Sequence, residues 1–273
     1  MKLTVNDITP IETYPYLEVG SSNLEHLSFP QLLHKSLPIY LGEWVNENAK
    51  VDLIIICSDL QGIIEEAGEH YLLGEKLPAF LKLLIEMDLS PNNKIGVFLC
   101  GDLYTSIKKR GSSGDVRTVW KEFKKHFSWV VGVAGNHDLF GNSNEKEAFK
   151  ALEGIYLLHQ EAINIDGIRI GGISGIIGRD DKINRIEESH YLKNLRKLLK
   201  KKIDFVLLHE SPDYPSLNQI GNPKIRVEIE QASKSKICCG HCFWQKTLVE
   251  FENETQVLNT DSKVVILQIK KNL

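Results

Sequence analysis

No stretch of this 273-residue sequence stays apolar for long. The longest uninterrupted run is Leu53-Ile54-Ile55-Ile56-Cys57, against the ~20 residues that a membrane-crossing helix needs, so no membrane span is expected. The first residues, Met1-Lys2-Leu3-Thr4-Val5-Asn6-Asp7, lack both the apolar core and the small-residue cleavage site of a signal peptide. Neither sign of charge is in excess: 33 Lys+Arg stand against 36 Asp+Glu, a net charge of −3. The basic stripe that extended nucleic-acid binding requires is therefore missing. Cysteine is scarce, five in all and an odd number. Cys57, Cys100 and Cys238 sit in apolar surroundings, which suits a reducing cytoplasm and not a disulfide framework. A Gly-x-Ser-x-Gly elbow, a P-loop and a Gly-x-Gly-x-x-Gly fingerprint are all absent, which argues against a serine hydrolase, a P-loop NTPase and a dinucleotide-binding fold. What remains is ordinary globular material, 42% apolar and 25% charged, in a chain long enough to bury a core without staples.

Residues 1–48 are mixed in pattern, with Pro10, Pro15, Pro30 and Pro38. They read as an N-terminal extension packed on a core formed by residues 49–273. Beyond residue 50, short Val- and Ile-rich runs alternate with amphipathic stretches. The runs lie at 51–57, 94–100, 129–134, 168–177, 203–208 and 236–239, short and β-branched as buried strands are. A helix is predicted from an N-cap at Asp115, because Val116, Val119, Trp120, Phe123 and Phe127 recur at spacings of three and four. A second is predicted over 187–202, acidic at its start and basic at its end as the helix dipole prefers, with Leu192, Leu195 and Leu199 on its buried face. Stretches 247–251, 255–259 and 264–269 read as a closing set of antiparallel strands, with Asn253-Glu254 as a turn. One α/β domain with two sheets is the simplest account.

The polar residues that follow the strand-like runs carry the chemistry. The first runs into Ser58-Asp59-Leu60-Gln61, the second into Gly101-Asp102, and the third into Gly135-Asn136-His137-Asp138. Later ones end at His209-Glu210 and Gly240-His241. Open α/β sheets bind ligands outside the carboxyl ends of their strands. Asp, Asp, Asn-His, His and His at five such ends make a donor set suited to Mn, Fe or Zn. Any one of these residues alone reads as a turn or cap residue; the ordered set does not.

That ordered set resembles the calcineurin-like metallophosphoesterase superfamily, from about residue 51 onward. Segments 110–117 and 171–178 resemble a bacterial branch with Asp-x-Gln in place of Asp-x-His. The resemblance implies a four-layer α/β/β/α sandwich, two mixed β-sheets with helices outside and a metal site at the strand C-terminal ends. It implies hydrolysis of a phosphate mono- or diester by in-line attack of a metal-bound hydroxide, on a small phosphorylated substrate. Asp102 resembles the carboxylate that bridges two ions; Asn136, His209 and His241 complete one site. The second site would have Asp59, the shared Asp102 and Gln61, because Gln61 and Phe243 stand where the family has two histidines. Up to two divalent ions are thus implied, the second weakly held. His137 matches the catalytic histidine, while Thr105 stands where many members place an Asp that orients it. Arg110 and Arg179, each in a glycine-containing loop, are candidates for holding the phosphoryl oxygens.

Other readings rank lower. Cys238-Cys239-Gly240-His241-Cys242 has the look of half a zinc site or a redox pair, but no second ligand pair accompanies it. The basic run at 193–202 reads as a solvated helix face. The two lost histidines also leave open a catalytically impaired relative that serves as an interaction scaffold.

Overall fold

The computed structural model describes residues 2–20, 31–89 and 94–271. Met1 and Pro30, both used in the sequence reading, lie outside the described residues. Within them the chain is a mixed α/β fold with two large sheets and five α-helices. No helix among the described residues is long and apolar enough to cross a membrane.

The first sheet runs in the order Ile155–Leu157, Trp129–Gly132, Ile95–Leu99, Leu53–Ser58, Lys263–Lys270, Leu32–Val45, Glu12–Val19, Ile63–Glu66 and Glu69–Leu72, with Leu3–Asn6 also paired to Leu32–Val45. The second runs Glu161–Ile165, Ile168–Ile173, Phe205–Glu210, Lys236–Gly240, Gln256–Asn259 and Leu248–Glu250. All six apolar runs found in the sequence contain strands. Their alternation appears once both faces are considered: Leu53, Ile55 and Cys57 face one core, Ile54 and Ile56 another. A strand buried on both faces shows no polar alternation in sequence, only a continuous run.

Two expectations are corrected here. The first concerns the early residues. They supply three strands of the first sheet, and Leu32–Val45 is hydrogen-bonded on both sides. They are woven into the sheet and do not merely lie against it. The second concerns the last strand, which leaves the closing set. Lys263–Lys270 crosses to the first sheet, antiparallel to Leu53–Ser58 and parallel to Leu32–Val45. Its Val264 and Ile266 face one core and its Val265 and Leu267 the other, burial that only a central position provides. Leu248–Glu250 and Gln256–Asn259 do pair antiparallel.

The helices are α1 (Leu73–Asp88), α2 (Arg117–His126), α3 (Ser143–Lys150), α4 (Glu188–Leu199) and α5 (Pro223–Glu230). The apolar stripe of α1 and α2 packs on one face of the first sheet. A Cβ on Gly74 of α1 would run into the Val119 side chain of α2, so the two helices approach closely. The cap of α2 is Val116, one residue beyond the expected Asp115. Asp115 Oδ1 nevertheless accepts the Arg117 N–H at 3.0 Å. Helix α4 is capped by Glu187, whose side chain accepts the His190 N–H, and it packs with α5 on the second sheet. Between the sheets lies an apolar layer that includes Phe98, Phe205, Trp44 and Leu258.

Candidate metal centre

Two sheets meet at the rim where the strand ends gather. Asp59 follows Leu53–Ser58 and Asp102 follows its parallel neighbour Ile95–Leu99. The Asp59 N–H donates to Gly101 O at 2.8 Å, which ties the two loops together. Asn136 and His137 follow Trp129–Gly132, while His209 and His241 come from the second sheet. Asp59, Asp102 and His241 hold φ of 53°, 54° and 69°, a left-handed backbone that costs non-glycine residues energy and concentrates at functional sites. Two motif glycines have a steric cause. A Cβ on Gly135 would collide with Asp102 Oδ1, and one on Gly240 with Ser58 Oγ and Asp59 Oδ2.

Asp102 stands at the middle. Its Oδ1 accepts the His137 N–H at 2.9 Å. Its Oδ2 lies 3.4 Å from Gln61 Nε2, 3.4 Å from His209 Nε2 and 4.0 Å from His137 Nε2. Asp102, His209 and His241 offer donor atoms that all lie within 4.8 Å of one another. The His209 and His241 rings are 5.0 Å apart. His209 Nδ1–H donates to Cys100 O at 2.8 Å, which directs the other nitrogen inward, as second-sphere bonds do for metal-ligating histidines.

The donor set fits a divalent cation. His209 Nε2 and Asn136 Oδ1 are buried without a hydrogen-bond partner, a costly arrangement unless something electropositive sits between them. Burial works against a charge on His209, yet Asp102 and Asp59 hold its pKa above the usual imidazole range. Burial likewise raises Asp102, but His209 and His137 hold its carboxyl below the usual range. The centre thus favours positive charge. His241 is pushed down to about 4 by burial and then by the charge on His209, and is a neutral imidazole. Burial and neighbouring Asp261 push the Asp59 carboxyl well above its usual range. Asp59 accepts from Ser58 Oγ and from the His241 N–H.

Asp138, the last residue of the Gly-Asn-His-Asp motif, is structural. Its carboxylate accepts the N–H groups of Asp102, Leu103 and Gly135 at 2.8–2.9 Å, joining two loops of the rim. His137 is oriented from farther along the loop that holds Thr105, between Ile95–Leu99 and Gly114–Asp115: Ser113 Oγ lies 3.4 Å from its Nδ1. Gln61 directs its amide nitrogen at Asp102. Phe243 lies outside the cluster, 61% exposed, with the Lys263 ammonium 4.3 Å from its ring centre.

The two candidate arginines are engaged at the surface. Arg110 pairs with Glu18 at 3.2 Å and Arg179 with Asp181 at 2.5 Å. Gly111, beside Arg110, does approach the His137 ring. Three charged residues that the sequence reading missed sit near the cluster. Asp261 pairs with Ser58 through an isolated parallel backbone β-bridge. Lys263, 2% exposed, donates to Trp244 O. Arg185 lies close enough for its charge to act on His241 and Glu210. A charged residue heading the apolar run of 264–267 was the one available signal, for Lys263. All five cysteines are free, and burial pushes the thiols of Cys239 and Cys242 up, the opposite of a reactive thiol pair.

The sequence matches the family model for calcineurin-like phosphoesterases over residues 53–242. Among solved structures it is similar to a phosphopantetheinyl hydrolase from Mycobacterium tuberculosis, at 9% identity over 77% of this chain and 89% of that one, with a TM-score of 0.45. It is also similar to an NAD nucleotidase from Haemophilus influenzae, at 14% identity and a TM-score of 0.43, over 82% of this chain but only 45% of that one. The chain thus spans under half the length of the second neighbour. No curated protein matches it in sequence.

Proposed function

Because the chain belongs to the calcineurin-like phosphoesterase family, we propose that the rim hydrolyses a small phosphate mono- or diester with the help of a bound divalent ion. The observation that carries this reading is the convergence of Asp102, His209 and His241, with His209 Nε2 and Asn136 Oδ1 buried and without a hydrogen-bond partner. Asp102, Asn136, His209 and His241 would hold one ion, of the Mn, Fe or Zn type that oxygen and imidazole donors suit. Asp59, Asp102 and Gln61 would hold a second more weakly, with Asp261 adding negative charge beside Asp59. Such ions, when bound, polarise phosphoryl oxygens and make water a nucleophile near neutral pH. Asp102 orders the rim, accepting the His137 N–H while facing both imidazoles. His137, steadied at Nδ1 by Ser113, would present Nε2 to a phosphoryl or leaving-group oxygen and supply a proton there. Asp138 keeps the Asp102 and Asn136 loops in register through its three N–H contacts.

The exposed Phe243 and the donor orientation of Gln61 favour the scaffold reading as the competitor. Elemental analysis of purified protein, with hydrolysis of bis(4-nitrophenyl) phosphate assayed under Mn, Ni, Co, Zn and Mg, separates the two. Metal-dependent turnover that Asp102→Ala abolishes supports the enzyme. Bound metal with no turnover on mono- or diesters supports the scaffold.

A further inference from the structure

Next to the metal loop the rim opens into a cavity of about 440 Å³, within the range of small-molecule sites. Helix α3 contributes Lys146, Glu147 and Lys150; His159 follows the strand Ile155–Leu157; Asn184 and Arg185 close the side towards the metal centre. Of these charges only Glu147 and Lys150 pair with each other, at 3.7 Å. Among the described residues neither Lys146 nor Arg185 forms an ion pair. Glu210, the acid that feels Arg185, is already engaged by the Ile177 N–H and by Asn222 Nδ2.

The boundary with the metal centre is rigid. Asn184 Nδ2 donates to Gly135 O at 2.9 Å and to Asp138 O at 2.6 Å, gripping the loop that bears Asn136 and His137. Asn184 O accepts from the Ile176 N–H, and Arg185–Ile186 pairs in parallel with Ile176–Ile177. The backbone of Arg185 is thereby fixed beside the cavity that it lines, and its charge is felt at His241. No Phe, Tyr or Trp lines the cavity. Unpaired cations in a concave site call for an oxyanion.

We infer that this cavity is an anion subsite that receives a second acidic group, phosphate or carboxylate, on the part of the substrate not under attack. The preferred substrate is then a small organic phosphoester with a second negative charge. The word substrate rests on the phosphoesterase reading; the anion site does not.

Two measurements separate these claims. The first is calorimetry on chelator-treated protein, with inorganic phosphate and succinate as probes. The unaltered chain should bind at least one, and the Lys146→Gln/Arg185→Gln double variant should bind it about tenfold or more weakly, the worth of one charge-assisted contact. Lys146→Glu, on the exposed face of α3, should weaken it likewise and leaves the packing of Arg185 untouched. No binding of either probe, or equal binding by all variants, overturns the subsite.

The second compares kcat/KM for 4-nitrophenyl diesters whose other arm is propyl, 3-carboxypropyl or 3-phosphonopropyl. The metal-loaded chain should prefer a charged arm, and the preference should fall towards unity in the double variant. The preferred arm tells carboxylate from phosphate. Anion binding without hydrolysis of any ester keeps the subsite and overturns the phosphoesterase. Hydrolysis without preference, in a chain that binds neither probe, keeps the phosphoesterase and overturns the subsite.

Discussion

Lys263 offers the sharpest quantitative check, because it is an ammonium buried among apolar strands next to Asp261. Burial presses its pKa from 10.5 down to about 8, against the pull of Asp261, Asp7 and Asp59. That interval corresponds to about 3 kcal/mol. Below pH 8 both folded and unfolded chains carry the proton, and the fold bears the full cost of burying it. Between pH 8 and 10.5 the folded chain loses the proton first, so the unfolded chain binds more protons and stability rises with pH. Lys263→Met keeps the length of the side chain and removes the charge, so this rise should vanish. With m of about 2–3 kcal/mol/M in urea, the midpoint of the unaltered chain should gain about 1 M on that of the variant between pH 7.5 and 10.5. Taking the difference between the two chains cancels the titration of tyrosines and cysteines elsewhere. Parallel midpoint curves would show that Lys263 meets water or a closer carboxylate, and the linkage argument would fail.

Asp102→Ala should remove activity and lower metal content together; a variant that retains its full metal would take Asp102 out of the ligand set. His137→Ala should cut turnover by about 10²–10⁴-fold, the usual range for acid–base groups, with metal content unchanged, and undiminished turnover on every ester tried would remove its assigned role. Gly135→Ala forces a Cβ against Asp102; the strain should cost about 1–3 kcal/mol in urea unfolding and metal affinity with it, whereas a neutral result would mean the two loops can separate freely. Chelation should lower thermal stability, and an ion restored at a hundred times its Kd should return about 2.7 kcal/mol; a melting curve indifferent to both would mean the native chain holds no ion.

The strand ends were legible because buried strands carry a strong local signal. Continuous apolar runs such as Leu53–Ser58 stop abruptly at Gly, Asp or His, and the stops mark the rim. Helix α2 was legible for the same reason, through Val119, Trp120 and Phe123 on one buried face. Helix α1 was hidden by Gly74 and Pro78, residues that read as breakers until the close approach to Val119 is seen. Strand Leu32–Val45 was hidden by His34, Lys35, Pro38 and Glu43, which sit on its exposed or pairing-tolerant stretches. At the site, residues that follow a strand could be read one by one. Arg185, Asp261 and Lys263 could not, because only tertiary packing brings them beside His241 and Asp59. Ser113 belongs with them: it takes the place beside His137 that the position of Thr105 had suggested was lost.

The central place of Lys263–Lys270 has a consequence for how the chain is made. Ile266 pairs with Ile55 on one side and Leu41 on the other, over two hundred residues distant in each case. Until the ribosome has delivered this segment, Leu53–Ser58 and Leu32–Val45 each present an open edge, and an open edge is a template for wrong pairing. Contacts of such long range also form slowly. The nascent chain therefore passes through a long interval with its first sheet in two pieces, when it is most exposed to aggregation and most dependent on chaperones. The piece that ends this interval also carries Lys263 and sits beside Asp261, so the sheet closes and the rim acquires its buried ammonium in one event.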